Sequence, residues 1–298
     1  MAHAVGIDHR ILAGSLLALS TGIAAYSSFK LWSLKRRCRR QQNDVYETQK
    51  SLHEYLIFHY GNKTEILGYD FGPQDALDFP KRCADMCMQY FKGKEGLPSR
   101  AVDVGCAVGR STFELCRLFD EVVGIDYSQS FVDACNLLKD EGKMAYYITT
   151  EGDLKETLEA KVDPAVDRQR ALFMQGDACN LPLDLGQFGC VLAANLIDRL
   201  RTPQNFLNRL GTLVAPGGIL VITSPYTFLE EFTPKDKWIG GYVSKKTGKE
   251  VTGFDGLKQN LLKHFDLIHT RNMPFLIRET ARKHQWTVSH VTVWCRRS

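Results

Sequence analysis

Short apolar runs alternate with stretches of helical spacing from residue 100 onward. The apolar runs predict strands at 101–104, 121–125, 171–174, 190–194 and 218–223. Apolar residues recurring three and four positions apart predict helices at 111–119, 128–139 and 203–214. This alternation indicates an α/β fold with a mostly parallel, Rossmann-like sheet and helices on both of its faces. Two later runs, 265–270 and 286–294, predict an antiparallel strand pair at the C-terminal end.

The region before residue 100 predicts helices instead of strands. A helical pattern starts near Val45 and ends at Gly61, and Pro80 opens a second one over 81–91. We interpret these helices as an N-terminal cap on the sheet. The polar stretch 142–169 is helix-prone around 153–161 and is interpreted as an insertion before the third strand.

Residues 11–29 form an uncharged run that a basic cluster follows at 35–40. The run has about the length that a helix needs to cross a ~30 Å hydrocarbon layer. By the positive-inside rule, the basic cluster places the following domain in the cytosol. The sequence therefore predicts a single-pass membrane protein, with an anchor and basic linker over 1–45 and a catalytic domain over 46–298. The alternative is a signal peptide cleaved near residues 22–27, which would leave a soluble protein.

Charge and cysteine usage exclude two classes of function. The net charge is +4, but residues 1–45 carry +5 and the remainder of the chain −1. A nucleic-acid-binding protein would carry a basic stripe on its folded part, so this class is set aside. The nine cysteines are odd in number and form no CxxC pair. They indicate free thiols in a reducing compartment, and no ligand set for a metal accompanies them.

A glycine-rich turn follows the first predicted strand and opens a helix. It reads Asp103-Val104-Gly105-Cys106-Ala107-Val108-Gly109-Arg110. Glycines let a nucleotide-like ligand approach the backbone, and the helix begins with free N–H groups. At the end of the next strand, Asp126 and Tyr127 follow, and a carboxylate there accepts hydrogen bonds from ribose hydroxyls. Dinucleotide-binding dehydrogenases share this arrangement, although the GxGxxG spacing is absent here.

Polar residues also end the third and fourth predicted strands. Gly176-Asp177-Ala178 closes the third strand, where a carboxylate can accept from an adenine amino group. Asn195 and Asp198 follow the fourth strand, and Pro216-Gly217-Gly218 turns into the fifth. In this order and spacing, the chain resembles the S-adenosylmethionine-dependent methyltransferases, whose Rossmann-like sheet has seven strands. The resemblance implies S-adenosylmethionine as cofactor and a small-molecule substrate.

Longer strings resemble one branch of that group, the methyltransferase domain of ovothiol biosynthesis. They are FHYG (58–61), DVGCAVGRSTFEL (103–115), GDACNLP (176–182), LAANLIDRL (192–200), TSPYTFLEE (223–231), WIGG (238–241) and PFLIRETARKHQ (274–285). The resemblance covers roughly residues 46–298. It implies methylation of a ring nitrogen of 5-mercaptohistidine, also called 4-mercaptohistidine. The iron-dependent sulfoxide synthase half that usually precedes this domain does not appear in the sequence, where the predicted anchor stands instead.

The resemblance implies a set of cofactor-binding residues at the ends of the first four strands. Asp126 would hold the ribose, and Asp177 with Ala178 the edge of the adenine ring, although each of these residues also suits a simple turn or cap. The full candidate set is Asp103, Gly105, Cys106, Gly109, Asp126, Tyr127, Asp177, Ala178 and Asn195.

Candidates for catalysis or substrate binding follow the later strands. Asp198 can orient an imidazole ring or accept its proton, or it is only the N-cap of the next helix. Arg199, Arg201 and Arg278 are candidate partners of a substrate carboxylate. The dipeptide Arg278-Glu279, in an apolar strand region, needs a partner or a ligand. Tyr226 is a further pocket candidate, and an aromatic lid is formed by Tyr55, Phe58, His59 and Tyr60, of which His59 is the candidate base.

Three other functions remain open from the sequence. The methyl acceptor can be another metabolite, a lipid-associated molecule or a protein residue. The protein can also be a cofactor-binding pseudoenzyme that tethers a partner to a membrane. A dehydrogenase is the third alternative.

Overall fold

The strands of the central sheet follow one another in a doubly wound order. A computed structural model describes residues 46–91 and 95–298. The seven-stranded sheet has the order β10-β11-β7-β6-β1-β2-β5. Its strands are β1 (Arg100–Val104), β2 (Glu121–Asp126), β5 (Ala171–Gln175), β6 (Phe188–Ala194), β7 (Val214–Ser224), β10 (Phe265–Arg278) and β11 (His284–Arg296). The first five of these strands pair in parallel, and β11 pairs antiparallel with both β7 and β10. The predicted fold class is confirmed.

Helices cover both faces of this sheet. They are α1 (Gln49–Tyr60), α2 (Lys63–Ile66), α3 (Phe79–Phe91), α4 (Arg110–Leu115), α5 (Gln129–Glu141), α6 (Pro203–Leu213) and α7 (Gly253–Leu261). Local signals set several of their ends. The Thr48 side chain accepts the N–H of Ser51 at the start of α1, and Ser128 does the same for Phe131 at α5. Gly142 ends α5 with φ +77°, a conformation that favours glycine.

Alternate residues of each strand pack on opposite sides of the sheet. In β6, Cys190 and Leu192 join the core on the side of α1, α3, α4 and α5. Val191 and Ala193 join the core on the side of α6 and α7. Because both faces are covered, the central strands are apolar throughout, as is typical of parallel sheets. The same packing brings the carboxyl ends of β1, β2, β5, β6 and β7 to one edge of the sheet, called the carboxyl edge below.

The C-terminal hairpin extends past the carboxyl edge. His290 of β11 pairs with Ser224, the last residue of β7, so residues 284–289 continue beyond it. Six residues of strand span about 20 Å. The tip of the hairpin meets the helices of the N-terminal cap, because Arg278 donates to the carbonyl of Glu65 and His284 Nε2 lies 2.8 Å from the carbonyl oxygen of Ile66. The cap and the hairpin thus form two walls above this edge.

The insertion before β5 is a β-hairpin, so the predicted helix around 153–161 is wrong. Strands β3 (Lys143–Glu151) and β4 (Leu154–Lys161) pair antiparallel around Gly152. Tyr146 and Ile148 are buried while their neighbours Ala145 and Tyr147 are exposed, which is the alternation of a strand with one covered face. The charged residues of β4 have good helix propensity, but packing of the hairpin on α1 outweighs that preference.

Two short strands and α7 were not predicted. Strands β8 (Tyr242–Val243) and β9 (Glu250–Val251) form a small antiparallel pair. Helix α7 begins at a capping box in which Thr252 and Asp255 exchange hydrogen bonds.

The predicted membrane-spanning run, residues 11–29, lies outside the described residues. Within residues 46–91 and 95–298, no helix has the length and apolar character that crossing a bilayer requires. The longest helices there, α3 and α5, have 13 residues, whereas a membrane span needs about 20. The predicted localisation, a single-pass membrane protein with its catalytic domain facing the cytosol, is therefore corrected and is not carried further.

Replacing Trp294 by alanine should strongly destabilise the protein. Trp294 is fully buried on β11, and its Nε1 donates to Thr292 Oγ1 at 2.9 Å. Loss of a buried tryptophan side chain costs about 3–5 kcal/mol of unfolding free energy. Trp286 on the same strand is 58% exposed, so its replacement by alanine should change stability by less than about 0.5 kcal/mol. Urea unfolding measures both variants, and equal losses would contradict the assigned core.

Candidate functional site

The glycine-rich turn between β1 and α4 adopts a conformation that needs its glycines. Gly105 and Gly109 have φ of +77° and +82°. A Cβ at Gly105 would lie 2.9 Å from Leu196 Cδ1, and one at Gly109 would lie 2.9 Å from Cys135 Sγ. The turn is tied to β2, because the N–H groups of Gly105 and Cys106 both donate to the carbonyl of Ile125. A ligand at this edge can therefore approach bare backbone at the start of α4.

Asp126 ends β2 and faces the same turn. Its Oδ2 accepts the N–H of Ala107 at 2.9 Å, and its Oδ1 accepts the N–H of Ser128 at 2.9 Å. A carboxylate has about four acceptor positions, so two remain for hydroxyls of a ligand. Burial raises the pKa of Asp126 to about 6 against the opposing effect of these hydrogen bonds. The carboxylate is thus held in place before any ligand arrives.

Asp103 and the thiol of Cys106 lie beneath the turn. Asp103 is fully buried, and its Oδ2 accepts from Ser111 Oγ and Thr112 Oγ1. Burial raises its pKa to about 6, and its Oδ1 has no hydrogen-bond partner. The Cys106 side chain is 1% exposed. Of these two candidate cofactor residues, Asp103 shapes the turn from below and Cys106 presents only its backbone to the carboxyl edge.

Asp177, Ala178 and Tyr127 border the carboxyl edge at β5 and β2. Asp177 is exposed, and its Oδ1 accepts the N–H of Cys179 at 2.8 Å. Ala178 is buried behind it, and Tyr127 is 53% exposed. The second oxygen of Asp177 makes no hydrogen bond to the described residues, which leaves an acceptor beside the end of β2 for a polar ring edge of a ligand.

Strained backbone is concentrated at the carboxyl edge. Four non-glycine residues within the described ranges have φ in the left-handed region, and three of them follow β1, β6 and β7: Ala107 (+47°), Asn195 (+51°) and Tyr226 (+56°). Such conformations cost about 1–3 kcal/mol each and persist where the surroundings impose them. Their concentration at one edge of the sheet makes that edge the candidate functional site.

Asn195 is fixed by two hydroxyl groups. Thr223 Oγ1 and Ser289 Oγ both donate to its Oδ1, at 2.9 and 2.6 Å. Its backbone N–H donates to Thr223 in turn. Because the amide oxygen is taken up, the amide nitrogen Nδ2 is the group that can donate to a ligand. It forms no hydrogen bond to any described residue.

Asp198 is buried, its carboxylate accepts from three donors, and it is not a helix N-cap, since α6 starts at Pro203 and its N-cap is Thr202. Its Oδ1 accepts from Ser224 Oγ at 2.8 Å, and its Oδ2 accepts from Thr227 Oγ1 and Arg199 Nη1. It is 0% exposed. Arg199 also donates to the carbonyl of Thr227. The Asp198 carboxylate therefore holds the segment after β7, and a ligand would meet its neighbours first.

The N-terminal cap closes one side of the crevice above this edge. Tyr46 packs edge-on against Tyr55 and Phe131. The hydroxyl groups of both tyrosines are close enough to Asp126 and Arg199 for these charges to affect their pKa values. Burial raises the pKa of both phenols, so they are neutral. The Glu47 carboxylate accepts the N–H groups of Gln129 and Ser130 at the start of α5. Aromatic walls thus stand beside Asp126.

The lid residues His59 and Tyr60 pack inward. Tyr60 donates its hydroxyl proton to the carbonyl of Val108 in the glycine-rich turn at 2.8 Å. His59 is 8% exposed, and burial together with nearby Arg110 lowers its pKa to about 3. Phe58 contacts Phe79 and Phe275. These residues attach α1 to the sheet, and the neutral His59 lies in the core of that attachment.

Arg278 and Glu279 find partners within the chain, which is one of the two outcomes, a partner or a ligand, that the sequence predicted for them. Arg278 is 8% exposed and donates to the carbonyls of Glu65 and Thr280, with Glu156 within 3.7 Å. Glu279 pairs with Lys283 and accepts from Gln285 at the tip of the hairpin. Arg201, the third predicted carboxylate partner, is exposed. Arg278 thus joins the hairpin to the cap.

The sequence did not indicate four residues of the site: Tyr46, Thr223, Ser289 and His290. The His290 ring lies with its Nδ1 3.0 Å from Tyr226 Oη. Tyr46 precedes α1, Thr223 is the last residue but one of β7, and Ser289 and His290 lie in the last hairpin. Among them only Thr223 lies in one of the quoted strings, TSPYTFLEE. The available signal was a polar residue at the end of an apolar strand, which would have identified Thr223 only. No group of metal-ligating side chains occurs among the residues described.

The central part of the chain, which contains β2 to β6 and most of β1 and β7, matches a known protein family. Residues 102–222 match a family described as a methyltransferase domain. A ubiquinone biosynthesis O-methyltransferase of Bradyrhizobium diazoefficiens is 27% identical over 125 residues, which is 42% of this chain and 39% of that protein. The protein of the same name from Rhodopseudomonas palustris strain TIE-1 is 28% identical over 130 residues, 44% of this chain and 40% of its own length. The chain thus spans about two fifths of the curated relatives it matches.

A solved structure supports the fold over a larger part of the chain. The [4+2]-cyclase SpnF superposes with a TM-score of 0.51 at 16% identity, covering 86% of this chain and 95% of that one. The similarity shows the shared architecture of the sheet and its helices.

Proposed function

We propose that this chain, which carries an S-adenosylmethionine-dependent methyltransferase domain, methylates a ring nitrogen of 5-mercaptohistidine. The proposed catalytic unit is residues 46–298, with α1 to α3 as its cap. The observation that carries the proposal is the composition of the crevice at the carboxyl edge. Neutral aromatic side chains, Tyr46 and Tyr55, lie near Asp126, and the carboxyl edge also carries a donor at Asn195 Nδ2 and a hydroxyl at Tyr226. That combination suits a flat heterocycle with its own N–H group and acceptor nitrogen.

The residues at the carboxyl edge fit the cofactor. The ribose hydroxyls would donate to the two remaining acceptor positions of Asp126, and the adenine amino group to Asp177. The methionine part would lie over the backbone of Gly105 and Gly109, whose left-handed conformations and close packing on Leu196 and Cys135 leave no room for a Cβ. Bound there, the cofactor supplies a methyl group on a positively charged sulfur. The anionic carboxylate of Asp126 favours a ligand of that charge.

The chain itself would contribute positioning and the exclusion of water. The cap and the C-terminal hairpin enclose the carboxyl edge from two sides, and Asn195 Nδ2 donates to the substrate beside the Tyr226 hydroxyl. Methyl transfer is an in-line displacement, so orientation of the nucleophile accounts for much of the rate. Displacement of water from the crevice strengthens the electrostatic interactions within it.

The test of this function is a comparison of methyl acceptors. Full-length protein is incubated with labelled S-adenosylmethionine and, separately, 5-mercaptohistidine, histidine or ergothioneine. Label in N-methylated 5-mercaptohistidine, well above the other two, is the expected result. Equal labelling of histidine would contradict recognition of the thiol. Tight binding of S-adenosylhomocysteine without labelling of any acceptor would contradict the enzyme activity and favour a cofactor-binding protein.

Cofactor affinity should depend on pH in a defined direction. The ribose hydroxyls need an ionised acceptor, and the pKa of Asp126 is raised to about 6. Affinity for S-adenosylhomocysteine should therefore be weak below pH 6, rise as the carboxyl ionises, and level off above about pH 7. Isothermal titration calorimetry from pH 5 to 8 measures this.

The side chain of the Asp126→Asn variant does not ionise. The rise in affinity for S-adenosylhomocysteine with pH should therefore disappear in that variant. Asp103 has a pKa in the same range, and Asp103→Asn should keep the rise. A rise that persists in Asp126→Asn would contradict the assignment.

A further inference from the structure

Tyr226 and His290 form a hydrogen-bonded pair beside Asn195. Tyr226 Oη lies 3.0 Å from His290 Nδ1, and the ring centroids are 5.9 Å apart. His290 pairs in the sheet with Ser224 at the last position of β7, so both side chains stand at the carboxyl edge. Neither is fully buried. Methyl transfer to a ring nitrogen leaves a proton to be removed, and this edge places a hydroxyl and an imidazole together.

Both members of the pair are held by the two polar residues that follow β6. Ser224 Oγ accepts the backbone N–H of Tyr226 at 2.9 Å and donates to Asp198 Oδ1 at 2.8 Å. On the other side, Ser289, the neighbour of His290, donates to Asn195 Oδ1 at 2.6 Å. Asp198 is therefore a positioning residue for Tyr226. This accounts for a fully buried carboxylate that no ligand can touch.

The conformation of Tyr226 is costly, and its surroundings impose it. Its φ of +56° lies in a region that bulky residues rarely adopt. A Cβ at residue 253 would lie 2.4 Å from Tyr226 Cδ1, so only glycine leaves room for the ring. Such strain is retained where the orientation of a side chain is used. Here it directs the phenol ring to His290.

The imidazole of His290 is in the state that can accept a proton. Partial burial lowers its pKa from the ordinary value of 6.5, so the ring is neutral at pH 7. The Phe254 ring of α7 packs perpendicular to it at 4.7 Å. The titratable groups around the pair are Tyr226 itself and Asp198 beyond it, and Lys258 lies on the Phe254 ring in a pair with Asp255. Burial likewise raises the pKa of Tyr226, which keeps the phenol protonated.

We propose that Tyr226 and His290 form a proton relay that removes the N–H proton of the methylated heterocycle. The proposal rests on the proposed function, since it requires a substrate with an ionisable ring N–H. It assigns His290 as the terminal base and Tyr226 as the group that touches the substrate.

The step balances in atoms and charge. The ring nitrogen forms a bond to the methyl carbon as the carbon–sulfur bond breaks, and the electron pair of that bond stays on sulfur. The neutral heterocycle becomes a cation that still carries its N–H. Tyr226 Oη takes this proton while its own proton passes to His290 Nδ1. The resulting imidazolium releases the proton to solvent at its exposed edge.

Tyr226→Phe and His290→Gln test the relay. Each variant prevents proton transfer between the two side chains and keeps the approximate shape of the replaced side chain. General acid–base catalysis contributes about 100-fold or more, so each variant should lower kcat about 100-fold with little change in KM. The double variant should be no slower than either single one, because the two groups act as a unit. His269→Gln on the neighbouring strand β10 is the matched control and should keep wild-type kcat. Additive losses in the double variant, or a rise in KM alone, would overturn the relay in favour of a structural pair.

The pH profile distinguishes a base from a structural contact. In the wild type, kcat should fall at low pH as His290 becomes protonated, and this acid limb should be absent in His290→Gln. An acid limb that is unchanged in the variant would overturn the proposal.

A readout without turnover separates the relay from the function it rests on. The ring resonances of His290 are followed by NMR in the full-length protein with S-adenosylhomocysteine, before and after 5-mercaptohistidine is added. We expect the His290 resonances to shift and those of His269 to stay, with the shift lost in Tyr226→Phe. Binding of 5-mercaptohistidine by calorimetry without a His290 shift overturns the relay alone. Absence of such binding overturns the proposed function, and the relay with it.

Discussion

Asp126→Ala should weaken binding of S-adenosylhomocysteine about a thousandfold. Two ribose hydroxyls would donate to this carboxylate, and hydrogen bonds to a charged group are worth about 1.5–3 kcal/mol each. A loss of about 4 kcal/mol corresponds to a factor near 1,000 in Kd. The substitution also removes the acceptor of the Ala107 and Ser128 N–H groups, which loosens the turn. Isothermal titration calorimetry at pH 7.5 measures the effect.

Two further variants isolate the cause of that loss. Asp126→Asn keeps the shape and one acceptor oxygen, so its Kd should lie between those of the wild type and Asp126→Ala. Asp133→Ala removes an exposed carboxylate on α5 and should leave the Kd unchanged. Wild-type affinity in Asp126→Ala would remove the ribose assignment and, with it, the orientation of the cofactor on the sheet.

Gly105→Val should abolish measurable binding of S-adenosylhomocysteine. At φ +77° a β-branched residue is a severe outlier, and its Cβ would lie 2.9 Å from Leu196 Cδ1. The turn would have to move away from Leu196, and the backbone that the methionine part would approach would move with it. The protein should also lose unfolding free energy, by about 1–2 kcal/mol or more from the left-handed conformation.

Gly248→Val is the matched control for this substitution. Gly248 has φ +68°, and a Cβ there would meet nothing within 4 Å. It should lose stability for the same conformational reason while retaining the wild-type Kd. Calorimetry for binding and urea unfolding for stability separate the two effects. If both variants lost binding equally, global destabilisation would be the explanation and not the turn.

Much of the sheet could be predicted because local pattern and tertiary environment agree there. The strands β1, β2 and β6 are apolar runs, and α6 begins at Pro203 as expected. The insertion is where they disagree. Residues 154–161 carry helix-favouring charges, yet pairing with β3 and packing on α1 make them a strand. A pattern read along the chain does not contain that packing partner.

The candidate site likewise contains residues whose position the sequence predicted and residues whose partners only the fold shows. Asp126, Asp177 and Asn195 stand at the carboxyl edge because each directly follows a strand that the sequence identified, and parallel strands end at one edge. Arg278 and Glu279 of the C-terminal hairpin were chosen because a charged pair in apolar surroundings needs a partner or a ligand, and Arg278 also because a guanidinium pairs with a carboxylate. In the fold, Arg278 donates to the carbonyl of Glu65, which is over 200 residues away along the chain, so the chain itself supplies a partner.

The sequence by itself determined the fold class and the order of the glycine-rich turn and the strand-end carboxylates, because strand ends and tight turns are set by neighbouring residues. Only the tertiary structure decided which groups meet across the crevice. Asp198 lies under Ser224, His290 beside Tyr226, and Tyr46 near Asp126, through contacts between segments far apart in the chain. Burial then lowers the pKa of His290 and raises those of Tyr226 and Tyr46, since the cost of a charge depends on what surrounds it in space.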